Sequence, residues 1–243
     1  MASALIVIPA RFDAARLPGK PLVDLCGVPM IVRVLRLAQQ VKRASRVIVA
    51  TDDARIAAAV TGDGGEAMMT ASTHVSGTDR VFEVVQRLGW SGLVVNVQGD
   101  EPLLDPGSVD ALIEGLAQDP NAEVATLAAP LEGAPDVASR VKVVFDANGR
   151  ALYFSRQPIP TGGPWWQHVG MYAFRAPTLE WFAQQPPGRL EQAERLEQLR
   201  LIEGGVSITI VRIRHASISV DTPDDLMRVR SLLNQASSEG LDA

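Results

Sequence analysis

Short stretches of unbroken apolar residues alternate along this chain with stretches whose apolar positions recur at helical spacing. Residues 5–9, Leu-Ile-Val-Ile-Pro, are apolar throughout, as a strand buried on both faces of a parallel sheet must be. The runs 46–51 (RVIVAT) and 93–97 (LVVNV) repeat that signal, and a shorter strand is expected near 66–69. Helical spacing separates them. Met30, Val34, Leu37 and Val41 mark one helix over 29–43, with Pro29 suited to its first turn. Asp52-Asp53 open a second helix, 53–61, where acids favour the N-terminal dipole. Further helices are expected from Ser76 to about Leu88 and near 106–118. This alternation predicts an α/β fold with a doubly wound, mostly parallel twisted sheet flanked by helices.

The second half follows another rhythm. Residues 123–129, 141–145 and 168–175 read as strands, and Asn148-Gly149 reads as a hairpin turn into Leu152-Tyr153-Phe154. Successive strands without helices predict a small antiparallel portion. Helices are expected again at 190–203 and 223–234, flanking a strand over 206–213. With no Ser/Pro-rich linker, repeat or low-complexity stretch, residues 1–243 read as a single domain with an antiparallel insertion at roughly 130–190. Residues 237–243 read as a frayed tail.

Composition narrows the classes. An apolar content of 47% with 21% charged residues suits a soluble globular enzyme. The net charge of −5 argues against a general nucleic-acid or anionic-membrane surface, so any cationic cluster is local. No apolar run approaches the roughly 20 residues that span a bilayer, and the first apolar stretch reads as a strand rather than a signal peptide. The single cysteine, Cys26, cannot form an internal disulfide, which suits a reducing cytoplasm. Its Asp24-Leu25-Cys26-Gly27 setting favours a small buried or turn residue over a catalytic thiol. No Cys/His cluster suggests zinc, and no GxSxG elbow suggests a triad hydrolase.

The candidate chemistry starts where the first strand stops. Arg11, Arg16 and Lys20 crowd a Gly/Pro-punctuated loop with only Asp13 to offset them. Such a loop is either a solvated basic turn or an anion site at the carboxyl end of a strand, where open α/β sheets place ligands. It is no P-loop, because Ala14 and Pro21 stand where that motif needs Gly and Ser or Thr. The GxGxxG fingerprint is missing too. Asp100, in Gln98-Gly99-Asp100-Glu101-Pro102, ends another buried strand. Either Asp100 or Glu101 caps the next turn, or Asp100 faces phosphate across a cation. Mg²⁺ is the natural choice, favouring one or two carboxylates plus phosphate oxygens. Val220-Asp221-Thr222-Pro223 opens a helix with Asp221 or Thr222 as cap, leaving one acid for such a metal site. Ser76-Gly77-Thr78-Asp79-Arg80 reads as a capped helix start or a base- or phosphate-recognition loop. Leu196 to Arg200 reads as a helix with an exposed polar face and two core leucines. On spacing alone His168 is a core histidine, and Trp165-Trp166 pack in a core or interface.

These motifs together resemble a known family. Pro9-Ala10-Arg11, Arg16-Leu17-Pro18-Gly19-Lys20-Pro21-Leu22 and Pro29-Met30-Ile31 resemble the opening of CTP-using sugar nucleotidyltransferases. The motifs Val49-Ala50-Thr51-Asp52, Ser76–Arg80 and Asn96–Pro102 are similar in order and spacing to those of the 3-deoxy-manno-octulosonate (Kdo) cytidylyltransferase family. So are Ala151–Arg156, His168-Val169-Gly170, Leu196–Arg200 and Val220–Pro223. The resemblance runs nearly end to end. It implies a Rossmann-like nucleotidyltransferase fold that transfers CMP from CTP to Kdo, or to its 8-amino analogue, in the cytoplasm. It also implies Mg²⁺ as cofactor and a homodimer formed through the antiparallel portion.

By the same resemblance Arg11, Lys20 and Asp100 are catalytic. Arg11, Arg16, Lys20, Ser76, Arg80 and Gln98 bind the nucleotide, and Asp100 and Asp221 hold the metal. Arg156, His168, Tyr172, Glu197 and Gln198 line the sugar-acid pocket, with Arg156 placed to pair with the acceptor's carboxylate. A catalytically silent nucleotide-binding protein is the alternative from another class; the presence of Arg11, Lys20, Asp100 and Asp221 opposes it. Two departures from the family pattern stand out. A short Thr161–Gln167 stretch replaces a longer charged loop, and Ser139-Arg140 replaces the usual Asn before Val141-Lys142.

Overall fold

The computed structural model of the chain describes residues 2–12, 17–131, 133 and 140–238, so Arg16 and Ser139 lie outside the described residues. The chain opens with β1 (Ala4–Ala10), a 3-10 turn (Lys20–Leu22), and the short strands β2 (Asp24–Leu25) and β3 (Val28–Pro29). Then follow α1 (Met30–Ala38), β4 (Ala44–Thr51), α2 (Ala54–Gly62), β5 (Glu66–Met69) and α3 (Gly77–Leu88). The middle holds β6 (Leu93–Asn96), α4 (Pro106–Gln118), β7 (Val124–Leu131), β8 (Lys142–Phe145), β9 (Ala151–Ser155) and β10 (Trp165–Arg175). The chain continues with α5 (Ala176–Gln184), α6 (Arg189–Glu194), α7 (Leu199–Glu203), β11 (Ile208–Arg212) and α8 (Pro223–Ser238). This is the α/β class that the apolar pattern predicts.

The chain divides into two compact units. One comprises Leu5–Leu88, Asn96–Pro106 and Ser217–Ala243. Its strands run in the order β1-β4-β5, with β4 and β5 parallel. Leu5 to Ile8 are fully buried, and each such side chain contributes about 1.5–3 kcal/mol relative to exposure. Leu25, Met30, Val220, Leu226, Val229 and Leu233 form a second cluster that seats α8.

The other unit comprises Met1–Ala4, Gly89–Val95 and Gly107–Ala216. Its strands run β11-β7-β10-β6; β11 lies parallel to β7, whereas β10 is antiparallel to both β7 and β8. β8 and β9 form the expected hairpin, closed by Gly149 at a φ of 82°. β10 carries a bulge between Val169 and Tyr172, which re-aims the side chains that follow it.

Two helical regions differ from the pattern-based expectation: α5 follows β10 where no helix is read, and the next helix is broken. The single helix read over 190–203 is two, α6 and α7, because Arg195 takes a left-handed φ of 55° and ends α6. The side chains around that break are not a solvated face. Arg200 is buried and makes a forked ion pair to Glu191, with both contacts at 2.7 Å. It also donates to the carbonyls of Phe182 and Gln185. Tertiary partners therefore override the simple amphipathic reading.

Candidate active site

Within the first unit a cavity of about 370 Å³ opens beyond the end of β1. That size suits a nucleotide-scale ligand. Seven of the residues singled out in the sequence line it: Arg11, Lys20, Ser76, Arg80, Gln98, Asp100 and Asp221.

Backbone contacts explain the gathering. Val97 N–H donates to the Val7 carbonyl, so the segment leading to Gln98 and Asp100 runs beside β1. Gly99 is needed there, since a Cβ at that position would stand 3.0 Å from the Pro9 carbonyl oxygen. Val220 N–H in turn donates to the Asp100 carbonyl at 2.9 Å, which brings Asp221 alongside. On the cationic side, Gly19 adopts a φ of 69° and donates to the Phe12 carbonyl, closing the loop that delivers Lys20.

Lys20 is the centre of the charge arrangement. Its ammonium donates to Asp100 Oδ2 at 2.6 Å and to Asp221 Oδ1 at 2.9 Å. Burial alone would lower its pKa, but the two carboxylates hold it above the ordinary lysine value. Asp221 reaches Lys20 because other residues cap α8. Thr222 Oγ accepts from Asp225 N–H while the Asp225 carboxylate accepts from Thr222 N–H, a reciprocal capping box. Glu101 turns away from the cavity's polar wall into the interior, where it accepts from Ser217 Oγ. Burial, with Asp100 and Asp221 adding to it, pushes its pKa up to about 7.

Ser76 caps α3: its Oγ accepts from Asp79 N–H, and its own N–H donates to Asp79, both at 3.1 Å. Arg80 is nearly buried, donating to Thr70 and, at 2.9 Å, to Asp52. Gln98 donates to Asn96 Oδ1, and Asn96 donates to Thr78 Oγ. Asp52 and Asn96 carry no chemistry of their own in the sequence reading. Here they fix Arg80 and Gln98 in the cavity wall.

The second unit holds the remaining candidates. His168 is buried against Phe154 and Tyr172, with ring centroids 4.9 and 5.5 Å away. Thr126 Oγ donates to the Met171 carbonyl at 2.7 Å and lies 3.0 Å from His168 Nε2. A hydroxyl has one proton to give, so His168 Nε2 donates to Thr126 and Nδ1 is the unprotonated nitrogen. Burial lowers the imidazole pKa to about 3, and the ring is neutral at pH 7. Tyr172 is held well above the ordinary phenol value by burial, with Glu197 reinforcing the shift. Arg156 donates from Nε to the Glu194 carbonyl and from Nη2 to the Arg195 carbonyl. Gln198 is 4% exposed, and among the described residues its Nε2 is the one buried side-chain polar atom with no hydrogen-bond partner.

The buried histidine makes stability depend on pH. Unfolding restores the ordinary value of 6.5, so between pH 6.5 and about 3 the unfolded chain binds a proton that the native chain refuses. Stability is therefore full above 6.5 and falls with acidification. Between pH 7 and 4, wild type should lose about 3 kcal/mol more unfolding free energy than His168→Gln. Urea titration at the two pH values measures the difference; parallel losses would place His168 outside the buried core.

Fold and cavity together define a nucleotidyltransferase of the cytidylyltransferase class, whose family model matches residues 5–208. Curated relatives sharpen the class. A 3-deoxy-manno-octulosonate cytidylyltransferase of Syntrophobacter fumaroxidans is 47% identical, with 94% of this chain and 96% of the relative covered. The Escherichia coli relative of the same name is 44% identical, covering 98% of this chain and 99% of its own. A solved structure of CMP:2-keto-3-deoxy-manno-octonic acid synthetase complexed with CTP superimposes with a TM-score of 0.92 at 44% identity. The match covers 96% of this chain and 99% of that one. The chain belongs to the 3-deoxy-manno-octulosonate cytidylyltransferase family.

Proposed function

We propose that this chain transfers CMP from CTP to Kdo, forming CMP-Kdo and pyrophosphate and so activating Kdo for lipopolysaccharide assembly. The observation that carries the proposal is the pair Asp100 and Asp221, bridged by Lys20 in a cavity that Arg11 and Arg80 also line. Two acids inside a cationic nucleotide-sized cavity suit a polyanion that arrives with its own cation.

In the reaction, the hydroxyl oxygen on the acceptor's anomeric carbon bonds to the α-phosphorus of CTP. The bond from that phosphorus to the bridging oxygen breaks, the hydroxyl proton is lost, and pyrophosphate departs. Negative charge develops on the leaving phosphates, where Arg11 and Lys20 supply preorganised positive charge. Arg16 belongs to the same proposed set. Ser76, Arg80 and Gln98 hold the nucleoside end. Arg156, His168, Tyr172, Glu197 and Gln198, all within the second unit, belong to the proposed set for the acceptor.

Asp100 and Asp221 are the residues that would hold Mg²⁺. Their donor chemistry fits, because this hard cation commonly takes one or two carboxylates and fills its octahedron with phosphate oxygens and water. When bound, Mg²⁺ would neutralise phosphate charge. The same proposal takes the chain to be a cytoplasmic homodimer. The antiparallel strands would form its contact, a reading that exposed Leu152 on β9 supports. Among the described residues no helix is long and apolar enough to cross a membrane.

Incubation with CTP, Mg²⁺ and either Kdo or 8-amino-Kdo tests the proposal by phosphorus NMR. Equimolar CMP-Kdo and pyrophosphate are the expected products. No product with Kdo, or product only with 8-amino-Kdo, would overturn the assigned acceptor.

A further inference from the structure

The wall of the nucleotide cavity formed by His74, Val75, Ser76 and Gly77 leaves β5 and returns as α3, and one carboxylate ties its two ends together. Glu83, nearly two turns inside α3, accepts from Ala71 N–H at 2.9 Å. It also pairs with His74 Nε2 and with Arg87 four residues on. Arg87 extends the staple by donating to the Met69 carbonyl at 2.6 Å. The Glu83 and His74 side chains are only 13% and 19% exposed, so this is an inward arrangement, unlike a surface ion pair of little worth. Although burial opposes it, His74 and the Ala71 N–H hold the Glu83 carboxyl below its ordinary pKa.

From this geometry we infer that Glu83 is a positioning residue for nucleotide binding, acting through His74. His74 is the partner that matters, because among the described residues it alone of Glu83's contacts also lines the cavity. A ring whose Nε2–H is spent on Glu83 has a fixed plane, which leaves its other nitrogen for a nucleotide group or a water. Removing the carboxylate frees the ring to turn. It also leaves the Ala71 amide without its acceptor, so the cavity wall loses its set position. The chemical step, carried by other residues, is left intact.

The inference rests on the proposed CTP reaction, and its test separates the two. KM for CTP, KM for Kdo and kcat are measured for wild type, Glu83→Ala, Glu83→Gln, His74→Ala and the double alanine variant. Glu83→Ala should raise KM for CTP about tenfold, leaving KM for Kdo and kcat within threefold. Glu83→Gln keeps an acceptor oxygen and should recover most of the loss. The double variant should be no worse than Glu83→Ala, as expected for two residues acting as one unit. An unchanged KM for CTP, a parallel rise in both KM values, or additive losses would overturn the inference. Should Glu83→Ala fail to fold, His74→Ala decides it: a rise of about tenfold in KM for CTP alone supports the inference, and an unchanged KM for CTP or a parallel rise in both KM values overturns it. Wild type that turns over no Kdo would overturn the reaction assignment instead; calorimetric titration of CTP into the same variants then decides the role of Glu83.

Discussion

Asp100→Asn should lower kcat/KM for CTP by at least about a thousandfold, or roughly 4 kcal/mol of transition-state stabilisation, with the fold intact. The amide keeps the shape of the carboxylate and can still accept from Lys20, which retains Asp221 as its second partner. Packing is therefore undisturbed. What disappears is the charge of one of the two carboxylates proposed to hold a divalent cation beside the triphosphate. Because the affected interaction is with charge that grows as pyrophosphate leaves, kcat should fall as well as affinity. Circular dichroism and a melting temperature within a few degrees of wild type would separate lost chemistry from lost structure. Full activity in a folded Asp100→Asn would remove Asp100 from the reaction.

Lys20→Met should be nearly as damaging for a different reason. It leaves Asp100 and Asp221 as neighbouring carboxylates with their bridging ammonium gone, in a cavity that must admit a polyanion. KM for CTP should rise about a hundredfold, and kcat should fall with it. The sign of the linkage fixes the pH range. Lys20 has a raised native pKa, so its ion-pair contribution is complete below the ordinary value of 10.5 and is lost only as pH rises through the native value. At neutral pH, wild type holds the full effect and the variant none. Lys20→Arg restores charge with a bulkier planar group and should recover activity only in part. Equal kinetics for Lys20→Met and wild type would leave the bridged pair without a catalytic role.

Much of this arrangement is legible in the sequence, and for definite reasons. β1, β4 and the run through β6 to Val97 are mainly apolar stretches followed closely by charge, so their carboxyl ends announce Arg11, Asp52 and Asp100. The capped starts of α3 and α8 are equally local signals, carried by Ser76 with Asp79 and Thr222 with Asp225. What escapes the sequence is created by contacts between distant segments. Glu83 sits at an ordinary helical position, and only folding lays the 71–74 loop against it. The break at Arg195 is hidden for the same kind of reason. Arg156 takes up the Glu194 and Arg195 carbonyls, and the Glu194 carboxylate accepts from Ser155 Oγ, contacts that no local pattern encodes. Arg200 looks like a solvated residue because its partners, Glu191 and the carbonyls of Phe182 and Gln185, are set by the fold. The helix α5 goes unread because Ala176–Gln184 has only a weak apolar face after an aromatic strand.

The proposed reaction requires CTP to bind in this cavity together with a divalent cation held by Asp100 and Asp221. Calorimetric titration of CTP into wild type and Asp100→Asn, each with Mg²⁺ and with EDTA, tests this requirement. Wild type should bind at least about tenfold more tightly with Mg²⁺, and that gain should vanish in Asp100→Asn. Equal wild-type affinities with and without Mg²⁺, or a full gain retained in Asp100→Asn, would contradict it.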